Sequence, residues 1–306
     1  MAATNKLAIV LVNWNNKNFI DQCLQSIKEA ELPFKYETIV SDNGSSDGSL
    51  RMINENYPEV KIIQNDENVG VATGNNQGIK NSSSEFIYIL NNDTKINGPS
   101  VIEMITFLEE NPEAGAVGGN LLNPDGTLQS SFFKFPTLLE EFLIVSHIGK
   151  KINLLHPSHN GKWPQAREVD WLSSASIIVR RKAFEVIALL DEDFFVYSDE
   201  TDWQYRLWQA GWRVHYLPSV NTIHYGGGSF KPGERRFTLV YRGRMLFANK
   251  HYSMMFQIIQ RFMFGIFAAL RLFVWMLLYL VPGRRDFSGS QIKSNIEIIS
   301  LSIHLK

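Results

Sequence analysis

Short apolar runs, each stopping abruptly on polar side chains, recur along the first two-thirds of the chain. Leu7–Val12, Tyr36–Val40, Val60–Gln64, Phe86–Leu90 and Ala114–Gly118 leave no room for helical periodicity, so they predict strands. The first and fourth are apolar throughout, the pattern of strands buried on both faces. Helical patterns lie between them. Asn18 is placed to cap a helix carrying Ile20, Leu24 and Ile27 on one face, and Ser45-Ser46-Asp47-Gly48 starts another. Gly70, Gly74 and Gly78 punctuate a loop and helix with Asn68, Asn75 and Asn76, and Pro99 suits a first helical turn. This alternation predicts an α/β fold of βαβ units with a mostly parallel sheet.

Residues 123–164 break the pattern and read as a long loop region near the site. Regularity returns at Val169–Leu172 and Ala175–Val179, then in a helix from Lys182. A further helix carries Asp199–Ala210 and stops at Gly211. Two strands, Arg213–Leu217 and Val220–His224, are expected to finish the sheet.

Charge divides the chain in two. Residues 1–230 hold 18 basic and 28 acidic side chains, whereas residues 231–306 hold 12 and 3. The division predicts a main domain over 1–230 and a basic C-terminal region over 231–306 that meets an anionic partner. Met254–Val281 is overwhelmingly apolar, and Phe262–Val281 approaches spanning length, but Arg271 near its centre makes spanning costly. Arg261, Phe264, Ala268 and Arg271 recur at helical spacing, so the reading is a helical tail lying in a membrane surface with basic edges. A core helix packed on the domain is the alternative, and no nucleic acid is expected. Cys23 is the only cysteine, which excludes a disulfide framework and a thiolate metal cluster and fits a reducing compartment. The N-terminal apolar run is too short for the core of a signal peptide.

Candidate chemistry sits at the strand ends. Ligands bind at the carboxyl edge of an open α/β sheet, and Asn13, Asp42 and Asn91-Asn92-Asp93 fall there. Asp93 between amides suits a hard divalent cation that grips a diphosphate; the plainer alternative is a polar turn. Asp42 can accept the N3–H of a pyrimidine, and Asn68 with Gly70 lets backbone approach a ligand closely. Neither a G-x-G-x-x-G after the first strand nor a G-x-x-x-x-G-K-[ST] occurs. Asp199, Glu200 and Asp202 repel one another, which raises a pKa and suits a general base, or else they form an acidic helix start. His224 is either a packed histidine or, with Asp93 and a diphosphate, part of an octahedral shell around Mg²⁺ or Mn²⁺. The Tyr225-Gly-Gly-Gly-Ser229 run after it reads as a mobile loop.

Several segments match one family in its own order. They are Val12–Asn15, Ser41-Asp-Asn-Gly-Ser-Ser-Asp-Gly48, Asn68-Val-Gly70 with Gly74–Gly78, Asn91–Thr94, Leu122-Asn-Pro-Asp-Gly126, Val169–Ala175, Phe194–Trp212 and His224–Gly228. Over about residues 5–230 the chain resembles family 2 glycosyltransferases of the GT-A fold, within them the rhamnosyltransferase-like branch that builds bacterial surface polysaccharides. The resemblance implies an inverting transfer from a dTDP- or UDP-linked sugar, rhamnose among the candidates, to a saccharide or lipid-linked saccharide. It also implies a place at the cytoplasmic face of the plasma membrane. Asp42 would hold the base. Asp93 would bind metal as the last residue of a D-x-D-like motif that begins at Asn91, and His224 would be the second ligand. Asn13, Asn68, Gly70, Asn76 and Asn92 would line the donor side. Glu200 stands where the family's acidic pair ends in the catalytic base, usually Asp, with Asp199 before it and Asp202 nearby. The Asp-Glu order is a departure, and so is Asn75, where many relatives carry an arginine for the diphosphate.

Two rivals remain at this level. A nucleotidyltransferase needs a glycine-rich basic loop near the N-terminus, and none is present. A non-catalytic membrane-bound scaffold would not need the carboxylates at Asp93, Asp199, Glu200 and Asp202.

Overall fold

The strand-forming runs assemble into one ten-stranded mixed sheet in a computed structural model that describes residues 5–146, 148, 163, 165–226 and 236–304. Its strands are β1 (Leu7–Asn13), β2 (Tyr36–Asn43), β3 (Lys61–Asn65), β4 (Phe86–Asn91), β5 (Thr94–Lys95), β6 (Ala114–Leu122) and β7 (Leu128–Gln129). A separate two-stranded antiparallel sheet pairs β8 (Phe132–Phe133) with β10 (Trp171–Leu172), and β9 (Arg167–Val169), β11 (Ser176–Arg180) and β12 (Arg213–His224) return to the main sheet. The order along the sheet is β3-β2-β1-β4-β11-β6-β12-β5. The first four run parallel, β11 is inserted antiparallel, and β6 and β12 are again parallel to each other.

Alternation along the central strands divides the core between the two sheet faces. Leu7, Ile9 and Leu11 of β1 join Phe86, Tyr88 and Leu90 of β4 on one side; Ala8, Val10, Ile87 and Ile89 occupy the other. Each large side chain so buried contributes about 1.5–3 kcal/mol. The Tyr88 hydroxyl is satisfied inside the sheet by Ser176 at 2.8 Å, which in turn meets Thr222 at 2.9 Å. Helix α3 (Val71–Lys80) lies so close to β1 that a Cβ on Gly74 would stand 2.9 Å from a Val12 methyl, and one on Gly78 would collide with Val10. Those glycines serve helix–strand packing.

Several boundaries differ from the sequence reading. Asn16, not Asn18, precedes α1 (Lys17–Glu29), and α2 (Ser49–Asn56) begins after Gly48 at φ +83°. The two expected final strands are one, β12, with its register broken between Leu217 and Asn221. Asn97 accepts from the Ser100 amide at 2.9 Å to cap α4 (Gly98–Glu110), with Pro99 in its first turn as expected. The irregular 123–164 region holds β7, β8 and α5 (Leu138–Val145), and most of its second half lies outside the described residues, as do Gly227–Ser229 and the boundary at 230.

The chain divides into two units, and α5 groups with the C-terminal helices rather than with the sheet. The second unit contains α5 and, further along the chain, α8 (Arg236–His251), α9 (Met254–Tyr279) and α10 (Arg285–His304). Val145, Tyr241, Met245, Phe264, Ala268 and Ile298 form its core. Polar groups are buried beside that core. Glu141 meets Arg244 at 2.8 Å and accepts from Gln260 at 3.0 Å, while Arg271 donates to Asn295 and to the Val145 carbonyl.

This arrangement corrects the reading of the tail. The Arg261–Phe264–Ala268–Arg271 stripe is the inward face of α9, not its membrane edge: Phe264 and Ala268 are fully buried and both arginines find partners within the unit. The opposite face is apolar and exposed, with Met255, Ile258, Phe262, Ile266, Leu270, Phe273 and Leu277 in succession. Among the described residues, α9 is one helix long and apolar enough to cross a membrane.

Candidate active site

The polar residues that end the apolar strands come together at one edge of the sheet. Asn13 closes β1 and is fully buried; its amide donates to Asp42 at 2.9 Å and to Ser45 at 3.2 Å, and its carbonyl accepts from Asn92 at 2.9 Å. One asparagine thus ties the ends of β1, β2 and β4. Asp42 takes its second bond from the Ser45 amide at 2.8 Å and exposes no surface. A carboxylate enclosed in this way fixes the shape of the edge.

Other predicted donor-side residues serve the scaffold. Asn68 accepts from the Gly70 amide at 3.0 Å and from Asn43 at 3.1 Å. Gly70 has φ +88°, and a Cβ there would stand 2.7 Å from the Phe195 carbonyl. Its close approach is to the 190s segment. Val71 donates to that same carbonyl at 2.8 Å, which pins the segment ahead of α7 (Asp199–Gln209) to the start of α3. Asn76 is also committed: it donates to the Leu190 carbonyl and to Glu192, each at 2.8 Å, and accepts from the Leu190 amide. That set of bonds ties α3 to the 190s segment. Asn91 ends β4 half-buried at the edge itself.

Asp93 and His224 do meet. Short β5 reverses after Asp93 and pairs Thr94 with His224, so Asp93 Oδ1 faces His224 Nε2 at 3.3 Å. Gln129, which the sequence reading passed over, holds the other side of the ring through His224 Nδ1 at 2.8 Å and the His224 carbonyl at 2.6 Å. Nothing near Gln129 in sequence announced it, because its partner lies 95 residues away. Among the described residues no group of three or more His, Cys, Asp or Glu side chains could hold a metal. A cation here would take two protein ligands and fill its shell from oxygen atoms of a diphosphate and water, which suits Mg²⁺ or Mn²⁺.

The acidic cluster separates into two arrangements. Tyr197 and Ser198 both have φ +65°, an uncommon pair of left-handed residues that leads directly into α7. Within the second unit a Cβ on Gly243 would stand 2.6 Å from the Tyr197 carbonyl, so a glycine is required against this turn. Asp199 is buried, and loss of water, the charge of Glu200 and a hydrogen bond with Glu200 push its carboxyl well above the usual range. Asp202 is buried too, but Arg206 grips it at 2.6 and 2.9 Å while reaching the Ile187 and Leu189 carbonyls. Gln204, between them, clamps the backbone of Leu172 through both ends of its amide at 2.7 Å. Asp202 is thus held by Arg206, whereas Glu200 is hydrogen-bonded with Asp199.

This fold has known counterparts. The solved structure of a mannosyltransferase from Pyrobaculum calidifontis, in complex with GDP-Man and Mn²⁺, is similar over 100% of this chain and 89% of its own. The TM-score is 0.59 at 15% identity, a likeness of fold that defines the class as GT-A. The family model Glycosyl transferase family 2 matches residues 8–161, and the chain belongs to that family. The chain is also 27% identical over 245 residues to the N-acetylglucosaminyl-diphospho-decaprenol L-rhamnosyltransferase of Mycobacterium tuberculosis, covering 72% of this chain and 76% of that one. It is 24% identical to rhamnosyltransferase WbbL of Escherichia coli over 71% of this chain and 82% of the relative.

Proposed function

We propose that this glycosyltransferase moves a sugar with inversion from a dTDP- or UDP-linked donor to a lipid-linked saccharide, in the assembly of a surface polysaccharide. Rhamnose is the favoured sugar, by analogy with the Mycobacterium and Escherichia rhamnosyltransferases, and a polyprenyl diphosphate saccharide the favoured acceptor, by analogy with the first. The observation that carries the reading is the Asp93–His224 pair at the carboxyl edge, 3.3 Å apart.

Asp93 and His224 would hold a Mg²⁺ or Mn²⁺ ion, which when bound neutralises the charge that develops on the leaving diphosphate. Glu200 takes the proton of the acceptor hydroxyl as it attacks the anomeric carbon. Asp199 keeps its own proton and donates a hydrogen bond to Glu200, which holds that carboxylate in place. Asn13 and Asn92 keep the strand end that carries Asp93 in one conformation.

The second unit is proposed to rest on the inner face of the plasma membrane. The apolar outer face of α9 enters the lipid while exposed Arg284 and Arg285, after its C-terminus, meet anionic headgroups. The opposite face is occupied by Glu141, Phe264 and Asn295, so lipid cannot surround the helix and it lies in the surface rather than spanning.

A screen of UDP- and dTDP-linked sugars for turnover by the purified protein, with and without Mn²⁺, tests the catalytic reading. Turnover confined to nucleotide sugars and dependent on the cation supports it. Turnover of nucleoside triphosphates with sugar phosphates instead would point to the nucleotidyltransferase.

A further inference from the structure

The Asn123-Pro-Asp-Gly126 turn belongs to the family pattern but has no role in the account so far. In the structure it begins a chain of hydrogen bonds that ends on His224. Asp125 is exposed, and its carboxylate can only accept; it takes the Thr127 hydroxyl at 2.6 Å. That bond holds the Asp125 carboxyl below the usual range. With its proton committed, Thr127 Oγ1 accepts from the Asn123 amide at 2.9 Å. Asn123 is thereby oriented with its carbonyl toward Gln129, whose amide donates to it at 2.7 Å. The same Gln129 nitrogen donates to the His224 carbonyl at 2.6 Å, another obligate acceptor. Gln129 Oε1 is then left to face His224 Nδ1 at 2.8 Å, and an acceptor there requires a proton on Nδ1.

Every link in this series is fixed by the one before it. In the neutral ring the second nitrogen, Nε2, carries the lone pair, and it is Nε2 that faces Asp93. Two acceptors therefore look at each other across 3.3 Å, a gap that suits a cation.

We infer that the Asp125–Thr127–Asn123–Gln129 series is a tautomer-setting relay that keeps the Nε2 lone pair of His224 turned toward Asp93 for metal binding. It rests on the metal reading above, but the tautomer can be measured without any metal. Gln129 and its upstream partners are positioning residues, since none of them touches the proposed cation.

The test is long-range ¹H–¹⁵N NMR on the full-length, ¹⁵N-histidine-labelled, metal-free protein at alkaline pH. The His224 resonance is identified by its absence in His224→Ala, and Mn²⁺ affinity is measured in parallel by electron paramagnetic resonance. Wild type is expected to show His224 with its proton on Nδ1. Gln129→Leu, which removes the acceptor, is expected to release the ring toward the Nε2–H form and weaken Mn²⁺ binding about 10–100-fold, the usual loss for a residue behind a ligand. Gln129→Glu keeps an acceptor and should keep the tautomer, which separates a lost relay from a damaged fold. Thr127→Val should mix the two forms. An Nε2–H ring in wild type, or an unchanged ring in Gln129→Leu, overturns the inference. If instead the tautomers behave as expected but Asp93→Ala leaves Mn²⁺ affinity unchanged, the relay stands and the metal reading fails.

Discussion

Asp93 and Asp199 are both buried aspartates at element ends, yet their surroundings are opposite. Asp93 ends a strand, faces a histidine, and sits on an edge braced by asparagines. Asp199 begins a helix after two left-handed residues, and its closest charged neighbour is another carboxylate. A third aspartate, Asp202, is equally buried but neutralised by Arg206. Burial alone assigns none of them a role. The partner does: a facing histidine lone pair suits a cation, a neighbouring acid traps a proton, and a bidentate arginine makes an anchor.

Substitutions that change the partner should therefore separate the sites. The largest effect is expected at the first: Asp93→Ala should abolish cation-dependent turnover, whereas His224→Ala should weaken the dependence on Mn²⁺ and leave residual activity. Both are read by titrating the cation against donor hydrolysis, and full activity of Asp93→Ala in excess chelator would contradict the assignment. At the anchor, Arg206→Met removes the guanidinium that grips the buried Asp202 and reaches the Ile187 and Leu189 carbonyls, which should cost about 3–5 kcal/mol in denaturant unfolding. A change well under that would contradict the anchoring role of Arg206.

The smallest effect belongs to Asp199, and its sign is opposite. Because the folded state holds this proton more tightly than the unfolded chain, stability falls as pH rises from the ordinary carboxylate range toward the raised folded value. Asp199→Asn removes that penalty, so it should be more stable than wild type at neutral pH and equal to it at acid pH. Thermal melts across pH decide this; a destabilised Asp199→Asn at neutral pH would show that the site prefers the charge.

The two faces of α9 invite a parallel test. Replacing Phe262 and Leu270 by Asp on the exposed face should release the protein from anionic vesicles without unfolding it. High salt alone should release it only in part, because apolar burial outlasts charge screening. Vesicle sedimentation reads both, and unchanged binding of the double variant would exclude this face as the membrane contact.

The strand ends were legible in the sequence because several successive apolar runs stop on Asn or Asp, which one ligand-binding sheet edge explains together. Asn13, Asp42, Asn92 and Asp93 all gather there. Which of them stays open to a ligand was not legible, since Asp42 is closed off by a hydroxyl-bearing turn and by an asparagine 29 residues away. The Asp202–Arg206 pair was legible, since the two stand one helical turn apart. One stripe of the tail was misread for a physical reason. Arginines in an apolar helix suggest a wet edge, but Arg261 and Arg271 turn inward and donate to Asn249, Asn295 and the Val145 carbonyl. Only tertiary partners decide which stripe faces out.

The central claim is that Glu200 takes the acceptor proton while Asp199 retains its own. Turnover rates of Glu200→Gln and Asp199→Asn at saturating donor, beside donor affinities, test it most directly. Loss of a general base is expected to cost Glu200→Gln about 10²–10⁴-fold with donor affinity nearly unchanged, and Asp199→Asn, which can still donate a hydrogen bond, should lose far less. An inactive Asp199→Asn beside an active Glu200→Gln would reverse the assignment and make Asp199 the base.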